Sequence, residues 1–188
     1  MQMSRQNYFT IMRRNFIIFV VFIGCFLISY IAINGTNSFE GRTSYKNLSF
    51  ILPDNWILNE SQSQFRLFEI TLPENPDFNI VIFSNIGGDA TQNFERWKKQ
   101  FQTIDFLETS VINNDDKKIS TIKINGIFNL PNPNNPTIID EVKNNYSLLG
   151  GVIEFPNSVY FIKATGSEEK ILENEDYFSN FIQSFRLN

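Results

Sequence analysis

The chain has 188 residues, with 16 basic against 20 acidic side chains, no histidine and one cysteine. Without histidine there is no Ser-His or Cys-His nucleophile pair, and the commonest general base and zinc ligand are missing. A single cysteine allows no disulfide within the chain and no cysteine metal cluster, and no cofactor is expected.

Charge divides the chain in two. Residues 1–35 hold Arg5, Arg13 and Arg14 and no acid, whereas the remainder has 13 basic and 20 acidic residues, a net of −7. A net-acidic domain is a poor match for a phosphate backbone, so nucleic acid is not an expected partner.

After a short N-terminal segment, residues 1–14, comes "NFIIFVVFIGCFLISYIAING", residues 15–35. Its continuous apolar part, Phe16 to Ile33, is long enough as a helix to span roughly 27 Å, close to the ~30 Å hydrocarbon core. A secretory signal has a shorter apolar region and then small residues for cleavage. This pattern predicts a single uncleaved transmembrane helix, a signal anchor. The preceding arginines place the N-terminus in the cytoplasm and the C-terminal domain on the periplasmic, extracytoplasmic side. Lipidation of Cys25 is the alternative, because "FIGC" (Phe22 to Cys25) is similar to the end of a bacterial lipoprotein signal. Against it, Phe22 stands where an aliphatic residue is usual, and "FLISYIAI" follows where a polar tether belongs. In the anchor reading Cys25 is a small buried apolar residue.

Residues 36–46 are polar, rich in turn formers and read as a linker. A domain at residues 47–188 follows, long enough for one core. "NLSFILPDNWIL" (Asn47 to Leu58) reads as two short strands around a turn at Asp54-Asn55. In "QFRLFEITLP" (Gln64 to Pro73), Phe68, Ile70 and Leu72 share one face of a half-buried strand. "NIVIFS" (Asn79 to Ser84) is a short central strand. "GGDATQNFERWKKQF" (Gly87 to Phe101) switches to helical period: Asp89 caps, with Gln92 three residues on, and Phe94, Trp97 and Phe101 share a face. Phe106 to Ile112 and Lys118 to Leu130 form a hairpin through a polar turn at residues 113–116. "PNPNNP" (Pro131 to Pro136) is an exposed loop. Leu148 to Phe155 and Ser158 to Gly166 form another hairpin around Pro156-Asn157. A closing helix has Phe178, Phe181, Ile182 and Phe185 on one face, approached by Glu168, Glu169, Glu173, Glu175 and Asp176.

Strands, helix, strands, loop, strands, helix is an α+β order: one mostly antiparallel sheet with packed helices, preceded by the transmembrane helix. The series "FILPDNW", "NIVIFS" before a Gly-rich turn and helix, "SVYFIKATGSEEK" and "FSNFIQSF" resembles the PsbP-like fold family. That α/β sandwich is shared by the extrinsic subunit of photosystem II and a nucleotide-release factor for the Ran GTPase. The helix from Gly87 to Phe101 is also similar to exported bacterial members, in which an Asn, an Arg-Trp pair and a Gln recur. The resemblance covers residues 47–188. It implies an accessory or binding role rather than catalysis, and it transfers no metal or GTPase-binding residue.

Candidate sites are few. Gly87-Gly88-Asp89 is either an anion site or a plain helix start, and Asp89 opposes an anion there. Arg96 and Trp97 are candidates for lining a ligand cleft, against a reading of Trp97 as core. Asp115-Asp116 and Asp140-Glu141 lack the spacing of a calcium loop and read as solvated turns. Nothing singles out a pair of carboxylates for hydrolysis. The expectation is therefore a membrane-anchored accessory protein, not an enzyme, whose partner is a protein in a membrane or envelope assembly. An anchored small-ligand- or lipid-binding module is the first alternative, and a carboxylate-dependent envelope hydrolase the second.

Overall fold

The structure is a computed structural model and describes residues 41–188, apart from residues 62, 64, 85, 133, 134, 136 and 137. The predicted transmembrane helix at 15–35, Cys25 and residues 1–40 as a whole lie outside the described residues. Among the described residues no helix is long and apolar enough to cross a membrane.

The described elements are β1 (Arg42–Tyr45), β2 (Leu48–Ile51), β3 (Ile57–Glu60), β4 (Arg66–Thr71), β5 (Asn79–Ser84), α1 (Ala90–Lys98), β6 (Phe101–Asn113), β7 (Lys118–Pro131), β8 (Ile139–Phe155), β9 (Ser158–Ser167), α2 (Glu168–Gln183) and β10 (Arg186–Leu187). Seven strands form one sheet in the order β3-β4-β5-β9-β8-β7-β6, antiparallel throughout. β1, β2 and β10 form a small second sheet. The α+β architecture expected from the sequence, a mostly antiparallel sheet with packed helices, is what the described residues adopt.

Adjacent glycines of β8 show how the layers stack. Successive residues of a strand point to opposite faces. A Cβ on Gly150 would meet the Trp97 ring of α1 and Ile122, whereas one on Gly151 would face Ile182 and Phe178 of α2. The helices therefore cover opposite faces of the large sheet. On the α2 face, Phe68, Ile70, Ile80, Ile82 and Ile162 pack with the helix and with Leu48 and Phe50 of the small sheet. On the α1 face a smaller cluster gathers Trp97, Phe101, Ile122, Ile124, Phe128 and Val152.

The strand face Phe68, Ile70 and Leu72 is buried as the alternation requires. Asp89 caps α1 by accepting the Gln92 backbone N–H at 2.8 Å. The end of α1 departs from expectation. The Gln100 N–H donates to the Trp97 carbonyl at 3.1 Å in a tight turn, and the Gln100 carbonyl accepts from the Asn129 N–H at 2.7 Å. That bond turns the chain into the sheet, so Phe101 opens β6 instead of extending the helix, and its ring meets Phe128 edge-on at 5.1 Å. The acidic run does not precede the closing helix either. β9 leads directly into α2, with Glu168 and Glu169 in the first turn, where negative charge is favoured. Phe185 falls beyond α2 but is buried against Phe50, ring centroids 5.1 Å apart. β1 occupies part of the stretch read as a linker, and β6 and β8 are longer than their apolar cores suggest.

Candidate functional site

α1 places Arg96 and Trp97 side by side in sequence and apart in environment. Trp97 is 5 % exposed and lies over Gly150, in the space that a side chain would otherwise fill. Arg96 is exposed and turns back on the loop ahead of the helix. Its Nη1 donates to the Gly87 carbonyl at 3.2 Å and to Asn93 Oδ1 at 3.1 Å. Asn93 is buried and donates through Nδ2 to the carbonyls of Gly87 and Asp89, at 3.2 and 2.9 Å. Gly87 and Gly88 both have positive φ, +73° and +80°, the left-handed region that glycine occupies at little cost. Asn93 and Arg96 thus clamp a Gly-Gly turn, and the Asp89 carboxylate occupies the helix N-terminus where an anion was weighed.

A second polar group on the α1 face was not anticipated. Lys163 stands opposite Gly150 and Val81 in the sheet, so its side chain shares the face of Trp97. Its Nζ donates to Gln100 Oε1 at 3.2 Å, an amide in place of a carboxylate. Burial, and then the positive charge of Arg66, push the Lys163 ammonium down to about 8. Arg66 is itself bound to Glu69 at 2.9 Å, and Glu69 accepts from the Ser61 hydroxyl at 3.1 Å. In the sequence "VYFIKATG", Lys163 is one polar residue in an alternating strand, with no local sign that a helix end would cover it.

On the opposite face a groove of about 270 Å³ runs between α2 and the β6–β7 ladder. Glu108, Ser110, Thr121, Lys123, Glu175 and Asp176 supply its polar lining. Lys123 pairs with Glu175 at 2.5 Å, leaving the carboxylates of Glu108 and Asp176 in excess. Such a lining suits a cationic group better than an anion.

Exposed apolar side chains mark a third region. Ile138, Ile139 and Val142, at the start of β8, are 52, 50 and 45 % exposed. Residues 139–145 belong to neither core cluster. β8 shifts register against β7 here, between the pairs Gly126–Tyr146 and Phe128–Lys143, and Asn145 takes a positive φ of 51°. A bulge of this kind bends a strand and redirects its side chains. Asp140 and Glu141 on this arm are held by Asn132 at 2.9 Å and Lys143 at 3.0 Å.

No family model and no curated protein matches the sequence. Solved structures do match. Cyanobacterial PsbP (CyanoP) from Synechocystis sp. PCC 6803 aligns at 12% identity over 78% of this chain and 89% of its own, with a TM-score of 0.54. The Ran-binding protein Mog1p of Saccharomyces cerevisiae aligns at 7% identity over 75% and 90% of the two chains, TM-score 0.44. A Mog1 point mutant aligns at 8% identity over 78% and 94%, TM-score 0.47. The Mog1 alignments are too loose to carry an argument. The CyanoP alignment shows a shared fold.

Proposed function

We propose, starting from the PsbP-like fold, that this chain is a non-catalytic accessory protein that docks to a protein partner in a membrane assembly. In this reading residues 15–35 anchor it and the domain works on the extracytoplasmic side. One observation supports docking above the others: Ile138, Ile139 and Val142 stand exposed on a bulged arm outside both cores. Fully burying a side chain of this kind is worth about 1.5–3 kcal/mol, so a partner that covers the arm gains from each of them. Fold alone does not fix function, and the weight rests on this arm.

The test is purification of the full chain from its native membranes in mild detergent, with identification of what accompanies it. The expected result is a stoichiometric partner that is lost from an Ile138→Ser, Ile139→Ser, Val142→Ser variant whose thermal unfolding is unchanged. A partner that stays with the variant removes the arm from the account, and a chain without any companion overturns the accessory role. Intact mass of the same sample tests the anchor: Met1 retained supports it, and a mass beginning at a lipidated Cys25 overturns it.

A further inference from the structure

β6 is the last strand of the large sheet, and among the described residues no strand pairs with its outer edge. Natural sheets blunt such edges with short strands, lysine, proline or bulges. β6 has two register shifts against β7, between Phe101 and Thr103 and between Ile104 and Phe106, both in its first half. From Phe106, opposite Asn125, to Asn113, opposite Lys118, the ladder runs unbroken. This stretch, "FLETSVIN", has no proline, lysine or arginine, and it exposes Phe106, Leu107 and Val111. At about 3.3 Å per residue it offers roughly 26 Å of open backbone.

The sequence of that edge specifies a partner. Thr109 and Leu107 stand opposite Ile122 and Ile124, which belong to the α1-side cluster, so Leu107, Thr109 and Val111 share that face. Phe106, Glu108, Ser110 and Ile112 share the other, where Ile112 stands opposite Ile119 of the α2-side core. If the stretch pairs antiparallel with its own copy about a two-fold axis at Thr109, Leu107 meets Val111 and Phe106 meets Ile112. Glu108 then meets Ser110, and Thr109 meets Thr109. Every apolar side chain finds an apolar one on the same face, and no like charges oppose each other. Moving the axis to Glu108 sets two carboxylates against each other. Moving it to Ser110 sets Glu108 against Ile112 and Leu107 against Asn113.

We propose that a second copy of this chain pairs with β6 across a two-fold axis at Thr109, joining the two large sheets into one. One strand from each side is well short of the roughly 20–30 residues a side of a stable interface, so the dimer is weak and concentration-dependent.

The experiment uses the full chain with Cys25→Ser, so that a single introduced cysteine is the only thiol. Directly opposed residues of an antiparallel pair have Cα atoms about 4.5–5.5 Å apart, inside the range a disulfide spans. Under mild oxidation, Thr109→Cys is expected to form a disulfide-linked dimer many-fold faster than Glu108→Cys or Val111→Cys, whose copies lie two and four residues out of register. No dimer from Thr109→Cys, or equal rates at all three positions, overturns the proposal. Sedimentation gives a second measurement that needs no cysteine. Ser110→Lys sets opposite charges facing Glu108 twice per dimer and is expected to tighten association several-fold, while Ser110→Glu loosens it by a similar factor. Equal association of the two variants, or the reverse order, also overturns it.

Discussion

On the α2 face, a 16-residue helix and the small sheet enclose a run of stacked and edge-on rings, Phe50, Phe68, Phe181 and Phe185. On the α1 face, a nine-residue helix lays one indole over a glycine and ends at an ammonium, Lys163, with Arg66 and Glu69 beyond it. The difference is one of coverage. A long helix together with a second sheet encloses a large apolar core on one face of the large sheet, and charge enters at its margins, where Lys117 meets the carbonyls of Gln183 and Phe185 and Lys123 pairs with Glu175. A short helix covers part of the other face, so polar side chains survive there by folding their apolar stems under its end. The larger apolar core therefore lies on the α2 face, whereas on the α1 face a lysine reaches the end of the covering helix.

The largest effect that would sharpen this comparison is expected from Phe181→Ala. Its ring touches Phe50, Trp56 and Phe185, and removing it leaves a cavity worth about 3–5 kcal/mol by urea unfolding. A loss below about 1 kcal/mol would break the claim that the α2 face encloses the larger apolar core. Next is the glycine pair. Gly150→Ala drives a methyl group into the Trp97 ring and Ile122, and is expected to cost about 1–3 kcal/mol. Gly151→Ala meets Ile182 no closer than 3.5 Å and is expected to be neutral or to stabilise by about 0.5 kcal/mol. Equal losses at the two positions would mean that the faces are not packed as described.

After the contrast between the two glycines comes a pH dependence. Unfolded Lys163 keeps its proton up to the ordinary value of 10.5, whereas the folded group releases it at about 8. Between these values unfolding takes up a proton, so stability rises with pH through the window and is level below it. Partial exposure trims the full 1.4 kcal/mol per pH unit, leaving a rise of about 1–2 kcal/mol. Lys163→Met is expected to flatten this rise and to be the more stable form at pH 7. A native profile that is already flat from pH 8 to 10.5 would return Lys163 to the solvent.

The sequence discloses what repeats locally. The alternation of Phe68, Ile70 and Leu72, the spacing of Phe178, Phe181 and Ile182, and the cap at Asp89 each express a period or a single bond, and each appears where expected. The helix-to-strand switch at Phe101 is hidden, because it depends on a bond to Gln100 from the distant Asn129 of β7. β6 is longer than its apolar core because an edge strand has little reason to alternate. Lys163 and Lys117 look like surface residues, since the elements that bury them lie far along the chain. Lys117 is buried, and its Nζ donates to the carbonyls of Gln183 and Phe185 at 2.9 and 2.6 Å. Of the candidate site, Trp97 and Arg96 were visible as residues, but the clamp on Gly87 was not. Asn93, the Asn of that helix in the resemblance, was visible as a residue too, but nothing local in the sequence signals its bonds to the Gly87 and Asp89 carbonyls.

The bonds from Lys117 and the pairing of β10 with β2 also set an order in time. β10 joins Leu187 to Leu48 and Arg186 to Ser49, and β9 completes the sheet beside β5. While the chain is being synthesised, Phe50 has neither Phe181 nor Phe185 to pack on, and the Lys117 ammonium has no carbonyls to meet. The domain therefore closes only once residues as late as Leu187 are free to return to the start of the sheet. Such non-local closure is slow and leaves apolar strands open in the interval. The small sheet and the α2-side core thus depend on both ends of the domain, whereas β6 to β9 pair with their neighbours in sequence.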